Sequence, residues 1–403
     1  MRASRRGFLI GTALGAGAVA LRPLTAAAQA APDIAGFDQT QTDVDREAVW
    51  KPVSDRKIRV GLVGYGLCQF SAQFGLQSHP NVEVAGVSDL IPDRCAALAK
   101  RVNCPKTFES LEKMLLDDSI EAVFLATDAP AHARHSIEAM KRGKHVACAV
   151  PAVWGSLEEA DELLETVKKT GRTYMLFETS AYHDDVYASR EIYRAGGFGK
   201  MIYSEGEYYH YMEEPLGSYK GWRVGLPPQF YPTHSNAYYI NVTGGSFTEV
   251  SCMGRVSDFP QFRPGGNAYG NRFGSEIALF RTSEGGAARM AVCWDMPKME
   301  GETGRNSGEK GSFWRRAFAP ATEDVARLVK TLRLKKPPLP PGVDAGGHGG
   351  SHGYLGNEFV EAVLQNRKPL VDVISALNLT VPGIIAHQSA LKGGELLKIP
   401  QYA

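Results

Sequence analysis

Short apolar runs alternate with segments of helical periodicity between residues 58 and 178. Apolar and β-branched residues predict strands at 58–63, 82–87, 107–108, 122–127, 145–148 and 173–177. Apolar residues at helical spacing predict helices at 70–79, 92–101, 110–116, 131–142 and 156–170. Because strand and helix alternate, these segments predict a doubly wound parallel sheet, which binds ligands at the carboxyl ends of its strands.

The pattern changes after Glu178. A helix is predicted at 186–194, and long alternating runs predict strands at 201–211, 247–255, 276–281 and 288–294. A hairpin turn is predicted at 308–313, a proline- and glycine-rich loop at 335–350, and helices at 355–366 and 376–392. The chain is therefore predicted to be an α/β protein. A parallel domain at 56–178 precedes a second α/β domain at 179–403, whose open sheet is mostly antiparallel.

A glycine turn follows the first predicted strand. Gly64-Tyr65-Gly66 leads from the strand into a helical pattern, which aims backbone N–H groups and a helix N-terminus at a pyrophosphate. Gln69 occupies the place of the usual third glycine, so the motif alone is weak. The turn predicts a Rossmann domain that binds a dinucleotide.

Asp89 ends the second predicted strand. A carboxylate in this position accepts hydrogen bonds from an adenosine ribose, although Asp89 could instead cap the helix that begins at Pro92. Combined with the glycine turn, Asp89 predicts that the cofactor is NAD rather than NADP. Arg94 lies close by and is the one feature that would suit a 2′-phosphate.

The N-terminal 30 residues have the pattern of an export signal. Arg5 and Arg6 precede a glycine- and alanine-rich apolar run to Leu21, and Ala28-Gln29-Ala30 offers small residues for cleavage. We expect a twin-arginine (Tat) signal at 1–30, an exposed arm at 31–55, and a periplasmic or extracytoplasmic location. An uncleaved membrane anchor at the same segment is the alternative. No later segment is long and apolar enough to span a bilayer.

Charge and cysteine content exclude some functions. The net charge is +1, which gives no electrostatic basis for binding nucleic acid or an anionic membrane. The six cysteines have neither C-x-x-C pairing nor metal-ligand spacing, so no metal site is predicted from them. Cys95 and Cys104 could form a disulfide after export.

These motifs resemble the glucose-fructose oxidoreductase / inositol dehydrogenase / MocA (Gfo/Idh/MocA) family. The similar features are the glycine turn, Asp89, the segment from Thr127 to His132, and Gly143-Lys144-His145-Val146 ahead of a proline. The resemblance covers about 57–402 and implies a Rossmann domain followed by a substrate domain with an open antiparallel sheet, and dimerisation through that sheet. It assigns cofactor contacts to Gly64, Tyr65, Gly66, Leu67, Gln69, Asp89, Thr127, His132, Val150, Pro151 and Glu178.

One position departs from the dehydrogenases of this family. They carry a lysine that assists hydride transfer at the end of the fifth strand, where this chain has Ala149-Val150-Pro151. Valine has no proton to give and no charge to orient a hydroxyl. Simple dehydrogenase activity is therefore not expected from this segment.

The chain is similar to the NAD-dependent glycoside hydrolase family 109 branch, which also has valine before the proline. The matching segments are Glu178, Tyr208 with His210, Trp222-Arg223, Tyr231-Pro232-Thr233-His234 and the glycine- and histidine-rich stretch 346–354. Tyr211 departs from the branch, which has an aspartate there. The resemblance assigns catalysis to Tyr208, His210, Tyr231 and His234, and substrate contacts to Trp222, Arg223 and His352.

Each of these residues also has a purely structural interpretation. Tyr208 and Tyr209 point to opposite faces of a strand, so only one of them can face a cleft. His234 could form a hydrogen bond to the backbone, and Trp222 could belong to the core. A metal site at His348 and His352 is disfavoured, because flexible glycines lie on both sides of these residues.

The resulting hypothesis is an exported enzyme with tightly bound NAD that acts on a carbohydrate or glycoside. It would remove a hydride from a sugar ring and return it, so the absence of an obvious carboxylate pair is no objection to a glycosidase. The alternatives are a sugar oxidoreductase and a nucleotide-bound protein without turnover. Expected partners are the sugar, the Tat export machinery and a second copy of the chain.

Overall fold

The computed structural model describes residues 42–403. The predicted export signal and residues 31–41 of the arm lie outside the described residues. The described part of the arm, 42–55, contains no buried residue. Val44 nevertheless pairs with Lys336, and Thr42 Oγ1 donates a 2.8 Å hydrogen bond to Asp184 Oδ1. This end of the arm is therefore held against the second domain.

The first sheet has six parallel strands in the order β3-β2-β1-β4-β5-β6. The strands are β1 (Ile58–Val63), β2 (Val82–Ser88), β3 (Thr107–Phe108), β4 (Ala122–Leu125), β5 (His145–Cys148) and β6 (Tyr174–Leu176). The helices are α1 (Phe70–Gln73), α2 (Pro92–Arg101), α3 (Leu111–Met114), α4 (His132–Lys141) and α5 (Leu157–Thr170). The doubly wound parallel sheet predicted from the sequence is confirmed.

Local sequence signals explain where these elements begin and end. Ser156 caps α5, because its hydroxyl accepts a 3.1 Å hydrogen bond from the Glu159 N–H. Gly171 ends the helix in the left-handed conformation, with φ +63°. The predicted helix 70–79 is wrong in extent. Gly75 has φ +70°, which a continuous helix does not allow, so α1 is followed by a separate 3₁₀ turn at Leu76–Ser78.

The second sheet has eight strands in the order β13-β12-β11-β7-β10-β9-β8-β14, and only the β7–β10 pair is parallel among the described residues. Its strands are β7 (Met201–Tyr209), β8 (Phe247–Val256), β9 (Phe273–Thr282), β10 (Ala287–Cys293), β11 (Gly301–Gly308), β12 (Gly311–Trp314), β13 (Ala317–Pro320) and β14 (Leu397–Lys398). Its helices are α6 (Asp184–Arg194), α7 (Thr233–Thr243), α8 (Glu323–Lys330), α9 (His352–Gln365) and α10 (Val373–Leu391). The predicted, mostly antiparallel second sheet is confirmed.

Helix α7 is not predicted by the sequence pattern, which indicates a proline turn at 231–234. The helix has no solvent-exposed face, because every residue from Thr233 to Val242 is buried. It lies directly on β7: a Cβ on Gly206 would come within 1.9 Å of the Ser235 carbonyl oxygen. Strand β11 is also missed, because its sequence, Gly-Glu-Thr-Gly-Arg-Asn-Ser-Gly, has no alternating apolar residues.

The structure also bears on the predicted disulfide and on membrane-spanning segments. Cys95 and Cys104 are both free thiols, so the disulfide considered from the sequence is not formed. Within 42–403, the helices are all too short or too polar to cross a bilayer.

Candidate functional site

A long cleft runs along the carboxyl ends of β1, β2, β4 and β5. Eight of the predicted cofactor residues line this dinucleotide cleft: Gly64, Gly66, Leu67, Gln69, Asp89, Thr127, His132 and Val150. Tyr65, Pro151 and Glu178 do not line it. Tyr65 lies just behind, with its hydroxyl donating a 2.9 Å hydrogen bond to Gln69 Oε1. The cleft is in the position at which doubly wound sheets bind nucleotides.

The two positions of the turn carry glycine for different structural reasons. Gly64 has φ +90°, and a Cβ there would lie 2.3 Å from the Ala126 carbonyl oxygen, so the turn itself requires glycine. A Cβ on Gly66 would meet nothing within 4 Å, although Gly66 lines the cleft. The backbone of Gly66 is thus open to close approach by a ligand, which fits a dinucleotide.

The Asp89 carboxylate bridges the turn and the start of α2. It accepts hydrogen bonds from the N–H groups of Tyr65 (2.6 Å) and Ile91 (2.8 Å). Asp89 thus holds the glycine turn and lines the cleft beside Arg94, but it does not cap α2, whose N-cap is Ile91 without a side-chain hydrogen bond.

His132 fastens the segment after β5. Its Nδ1–H donates to the Pro151 carbonyl (2.8 Å), and its Nε2–H faces the Thr127 carbonyl at 3.2 Å. Burial lowers the pKa of His132, but Cys148 and the two carbonyls outweigh this and raise it to about 9. Because both ring nitrogens face acceptors, His132 holds the Val150–Pro151 segment at the wall of the cleft.

A second, smaller pocket adjoins the cleft. Cys68, Phe70, Ala149, Val150, Arg223 and Tyr231 line both spaces. The smaller pocket is completed by Phe74, Phe177, Thr179, Tyr208, His210, Leu216, His234 and His348. All four predicted catalytic residues therefore face one cavity that opens onto the dinucleotide cleft across Val150.

His234 lies in the first turn of α7, between two buried carboxylates. Its Nδ1–H donates a 2.8 Å hydrogen bond to Glu178 Oε1, and Glu302 Oε1 lies 3.5 Å from the same nitrogen. Burial lowers the pKa of His234, but Glu178 and Glu302 more than offset this and raise it to about 9. At neutral pH the ring is an imidazolium whose Nε2–H remains available to donate.

Two stacked tyrosines lie beside this imidazolium. The ring centroids of Tyr208 and Tyr231 are 6.1 Å apart, and the angle between the two ring planes is 29°. The centroid of the Tyr208 ring is 4.6 Å from that of the His234 ring. Tyr209 packs on the opposite face with Ala291 and Cys293, as strand alternation predicts. Burial raises the pKa of Tyr231 to about 12, against the lowering effect of Arg223, and raises the pKa of Tyr208 well above its usual value. Both phenols are protonated at neutral pH.

Arg223 places a permanent positive charge at the junction of the two spaces. Its guanidinium lies 4.2 Å from the Trp222 ring centroid and 5.9 Å from that of Tyr231. The Trp222 and Tyr231 rings are nearly parallel, at 18°. Trp222 lines the cleft and also packs edge-on against Trp154, so its ring serves both the pocket wall and the core.

Two other histidines of the small pocket are held uncharged. Burial, Arg223 and His234 lower the pKa of His210 to about 4, and burial and neighbouring histidines lower that of His348 well below its usual value. His348 lines the small pocket, whereas the predicted substrate residue His352 lies behind it, with its Nε2 3.0 Å from His348 Nδ1. Within 42–403 no cluster of three or more His, Cys, Asp or Glu residues is arranged to hold a metal ion.

Sequence reasoning misses two carboxylates in this site. Glu302 is in the unpredicted strand β11, and Glu300 lies just before it. Glu300 Oε2 is 3.2 Å from His210 Nδ1, and its Oε1 accepts a 3.0 Å hydrogen bond from the Tyr211 N–H. Glu300 thus supplies a carboxylate beside His210, although the chain has tyrosine where the similar branch has aspartate.

The family model described as an oxidoreductase family with an NAD-binding Rossmann fold (GFO_IDH_MocA) matches residues 58–178. The predicted dinucleotide domain therefore matches the model of this family. A glycosyl hydrolase family 109 protein from Solibacter usitatus is 24% identical over 388 residues, which cover 86% of this chain and 88% of that protein. The resemblance of the chain to the Gfo/Idh/MocA family and its family 109 branch is therefore confirmed.

Solved structures share the fold over both domains. Apo scyllo-inositol dehydrogenase from Lactobacillus casei aligns with a TM-score of 0.66 at 14% identity, covering 86% of this chain and 99% of that one. Levoglucosan dehydrogenase in complex with NADH and levoglucosan aligns with a TM-score of 0.69 at 18% identity, covering 86% and 100%. The chain thus shares the fold of these proteins, a parallel six-stranded sheet followed by a mostly antiparallel second sheet.

Proposed function

We propose that the protein is an NAD-dependent glycosidase that cleaves a glycosidic bond through transient oxidation of the sugar ring. The observation that carries the proposal is the His234 imidazolium, bonded to Glu178 in a pocket that opens onto the dinucleotide cleft. An acid beside the cofactor site suits departure of a leaving group, which a simple dehydrogenase does not require. The similarity to family 109 proteins over most of the chain supports this choice.

The dinucleotide cleft would hold the cofactor along Gly66, Asp89 and Val150. Bound NAD would accept a hydride from C3 of the sugar and return it at the end of the cycle, so the reaction has no net redox change. Tight binding and a preference for NAD over NADP are parts of this proposal, the latter because the Asp89 carboxylate would repel a 2′-phosphate.

The side chains of the small pocket would carry the protons. Once C3 is a ketone, the C2 proton is acidic enough for removal by Tyr208 or His210, both of which line the pocket. His210 is the neutral base of the two, because its pKa is lowered to about 4, whereas the Tyr208 phenol is protonated. His234 would donate its Nε2 proton to the departing oxygen at C1, since its Nδ1 is bonded to Glu178. Water then adds at C1, and the protons at C2 and His234 are restored.

A sugar oxidoreductase is the second candidate. The structural similarity to levoglucosan dehydrogenase favours it. Val150 counts against it, because this side chain lies at the junction of cleft and pocket and cannot donate a proton.

The deciding experiment uses protein purified without added cofactor. Denaturation should release NAD, identified by absorbance and mass, and the native protein should release nitrophenol from one of a panel of nitrophenyl glycosides. His234→Gln should abolish that release while retaining bound NAD. Accumulation of reduced cofactor with free sugars would favour the oxidoreductase, and bound NAD without either reaction would indicate a protein without turnover.

Location and assembly are further proposals. Export by the Tat machinery to the periplasm rests on residues 1–30, which lie outside the described residues, and is tested by cell fractionation of an Arg5→Lys, Arg6→Lys variant.

A homodimer through the outer face of the second sheet is supported by exposed apolar side chains on three of its strands: Ile202, Met253 and Leu279. Light scattering on the purified protein tests the assembly.

A further inference from the structure

Glu302 is a buried acidic residue that no sequence motif indicates. It lies in β11, paired in register with Tyr208 of β7, and its side chain is only 1% exposed. Its Oε2 accepts a hydrogen bond from Ser180 Oγ and lies 3.4 Å from His183 Nε2. Acidic side chains are almost never buried to this degree without a charged partner. A cationic group is therefore expected close to the Glu302 carboxylate.

His234 is the cation that faces the other oxygen of Glu302. Glu302 Oε1 has no hydrogen-bond partner among the described residues, but it lies 3.5 Å from His234 Nδ1. Glu178 already holds that nitrogen by a 2.8 Å hydrogen bond. Glu302 thus acts on His234 mainly through its charge, and Glu178 acts through both charge and direct bonding.

We propose that Glu302 is a positioning residue that shares with Glu178 the counter-charge of His234 and thereby keeps the imidazole doubly protonated in the substrate pocket. Its catalytic meaning rests on the proposed glycosidase function, in which His234 is the acid. Its effect on the protonation of His234 does not depend on that function and is measurable without any substrate.

Several other groups face His234, and none supplies a comparable negative charge. Tyr208 and Tyr231 present protonated phenols, with ring centroids 4.6 Å and 5.7 Å from that of His234. The His348 ring lies 6.4 Å away, and the Thr179 hydroxyl 3.4 Å from Nδ1. His210 is close enough for His234 to lower its pKa, and His183 lies behind Glu302. The two glutamates are the carboxylates within 4 Å of His234 in the described residues.

The decisive measurement is a pH titration of the His234 Cε1–H signal by NMR in the protein as purified, without substrate, with the signal assigned from the His234→Gln variant. In the wild type the ring should remain an imidazolium through neutral pH and titrate near 9. Glu302→Gln keeps the shape but removes the charge, so the pKa of His234 should fall by about one unit or more. Glu302→Asp, which withdraws the charge by one methylene, should give an intermediate value.

A matched control is available in the neighbouring strand. Glu207 of β7 pairs with Arg289, next to the outward-facing Tyr209, so Glu207→Gln should leave the His234 titration unchanged. If the proposed glycosidase activity is found, the alkaline limb of its kcat/KM profile should move to lower pH in Glu302→Gln by the same amount as the NMR titration.

An unchanged His234 titration in folded Glu302→Gln overturns the proposal. So does a wild-type His234 that titrates near the ordinary histidine value of about 6.5. If Glu302→Gln fails to fold, Glu302→Asp decides, because an unaltered pKa of His234 in that variant also overturns the proposal. Loss of the shift in Glu302→Gln together with inactivity on all glycosides would count against the proposed function and in favour of the role of Glu302.

Discussion

His234 Nδ1 and Glu178 Oε1 are joined by a 2.8 Å hydrogen bond that links the end of the dinucleotide domain to the first turn of α7. Both side chains are buried, at 4% and 0% exposure. An ion pair of this kind is costly to break, because the remaining partner is a buried charge without compensation. The bond therefore determines both the charge state of the candidate acid and part of the pH dependence of folding.

The first prediction concerns stability and pH. The pKa of His234 is about 9 in the folded protein and about 6.5 when unfolded. Because the folded state binds the extra proton, this stabilisation is fully present below about pH 6.5 and is lost as the pH rises through about 9. The shift corresponds to an upper value on the order of 3 kcal/mol. His132 acts in the same direction, since its pKa is also raised to about 9.

Urea unfolding of cofactor-free protein at pH 6 and pH 9.5 measures this effect. The free energy of unfolding should fall between the two pH values, and His234→Gln should remove roughly half of the fall. His145→Gln is the control, because the pKa of His145 is lowered to about 4 and its contribution lies at acid pH. An identical fall in wild type and His234→Gln would show that His234 is not the linked group.

The second prediction uses two adjacent tyrosines on opposite faces of β7. Tyr208 lines the small pocket and stacks near Tyr231 and His234, whereas Tyr209 packs with Ala291 and Cys293. Tyr208→Phe removes a protonated phenol that can exchange a proton in the pocket that also holds His210, so kcat should fall by at least about 100-fold, the usual size of a proton-transfer contribution. Tyr209→Phe should retain activity within about twofold.

Steady-state kinetics with the best glycoside give both values, and bound NAD should be the same in the two variants. Near-normal kcat in Tyr208→Phe would remove Tyr208 from the proton-transfer steps and leave His210 as the base. A comparable loss in both variants would indicate that the strand, rather than the phenol, is responsible.

The third prediction separates the two glycines of the turn. Gly66→Val introduces a side chain into open space at the wall of the cleft, so cofactor binding should be lost with little change in Tm. Gly64→Val adds a side chain to a residue at φ +90° and 2.3 Å from a carbonyl oxygen, so the fold itself should be destabilised by several kcal/mol.

Thermal unfolding and nucleotide release on denaturation give the two readouts. Stable Gly66→Val with normal nucleotide content would mean that no ligand approaches the backbone at this position. Stable Gly64→Val would mean that the turn tolerates another conformation.

Sequence patterns predict the parallel domain well, because most of its strands are short buried runs and its turns carry glycine, proline or a capping serine. They predict the second sheet less completely. Strand β11 consists largely of polar residues and glycine, and its place is set by pairing with β7 rather than by its own periodicity. Helix α7 is buried all round, so it has no amphipathic pattern to recognise.

The candidate site shows the same division. Residues that belong to motifs, such as Tyr231 and His234, are named from the sequence and face one pocket. Glu302 and Glu300 are missed, because each reaches the site through tertiary packing from a segment without a motif. Glu178 is assigned by its motif to the cofactor, whereas its carboxylate binds His234, a contact between residues 56 positions apart in the chain. Contacts over such distances are not encoded in local spacing.

The last prediction concerns the choice of dinucleotide. Asp89 lines the cleft beside Arg94, and its carboxylate accepts hydrogen bonds from the Tyr65 and Ile91 N–H groups. Asp89→Asn removes the negative charge that would repel a 2′-phosphate while retaining one amide oxygen as an acceptor. The ratio of NADP to NAD affinity should therefore rise by at least about tenfold. The lost backbone bond should cost about 1 kcal/mol of stability.

Calorimetric titration of cofactor-stripped protein with each dinucleotide measures the ratio. Asp93→Asn is the control, because Asp93 lies in the first turn of α2 and does not line the cleft. Arg94→Met in the Asp89→Asn background should reverse the gain, since Arg94 is then the group that attracts the 2′-phosphate. An unchanged ratio in Asp89→Asn would mean that Asp89 only organises the turn before α2, and that the choice between the two dinucleotides is made elsewhere in the cleft.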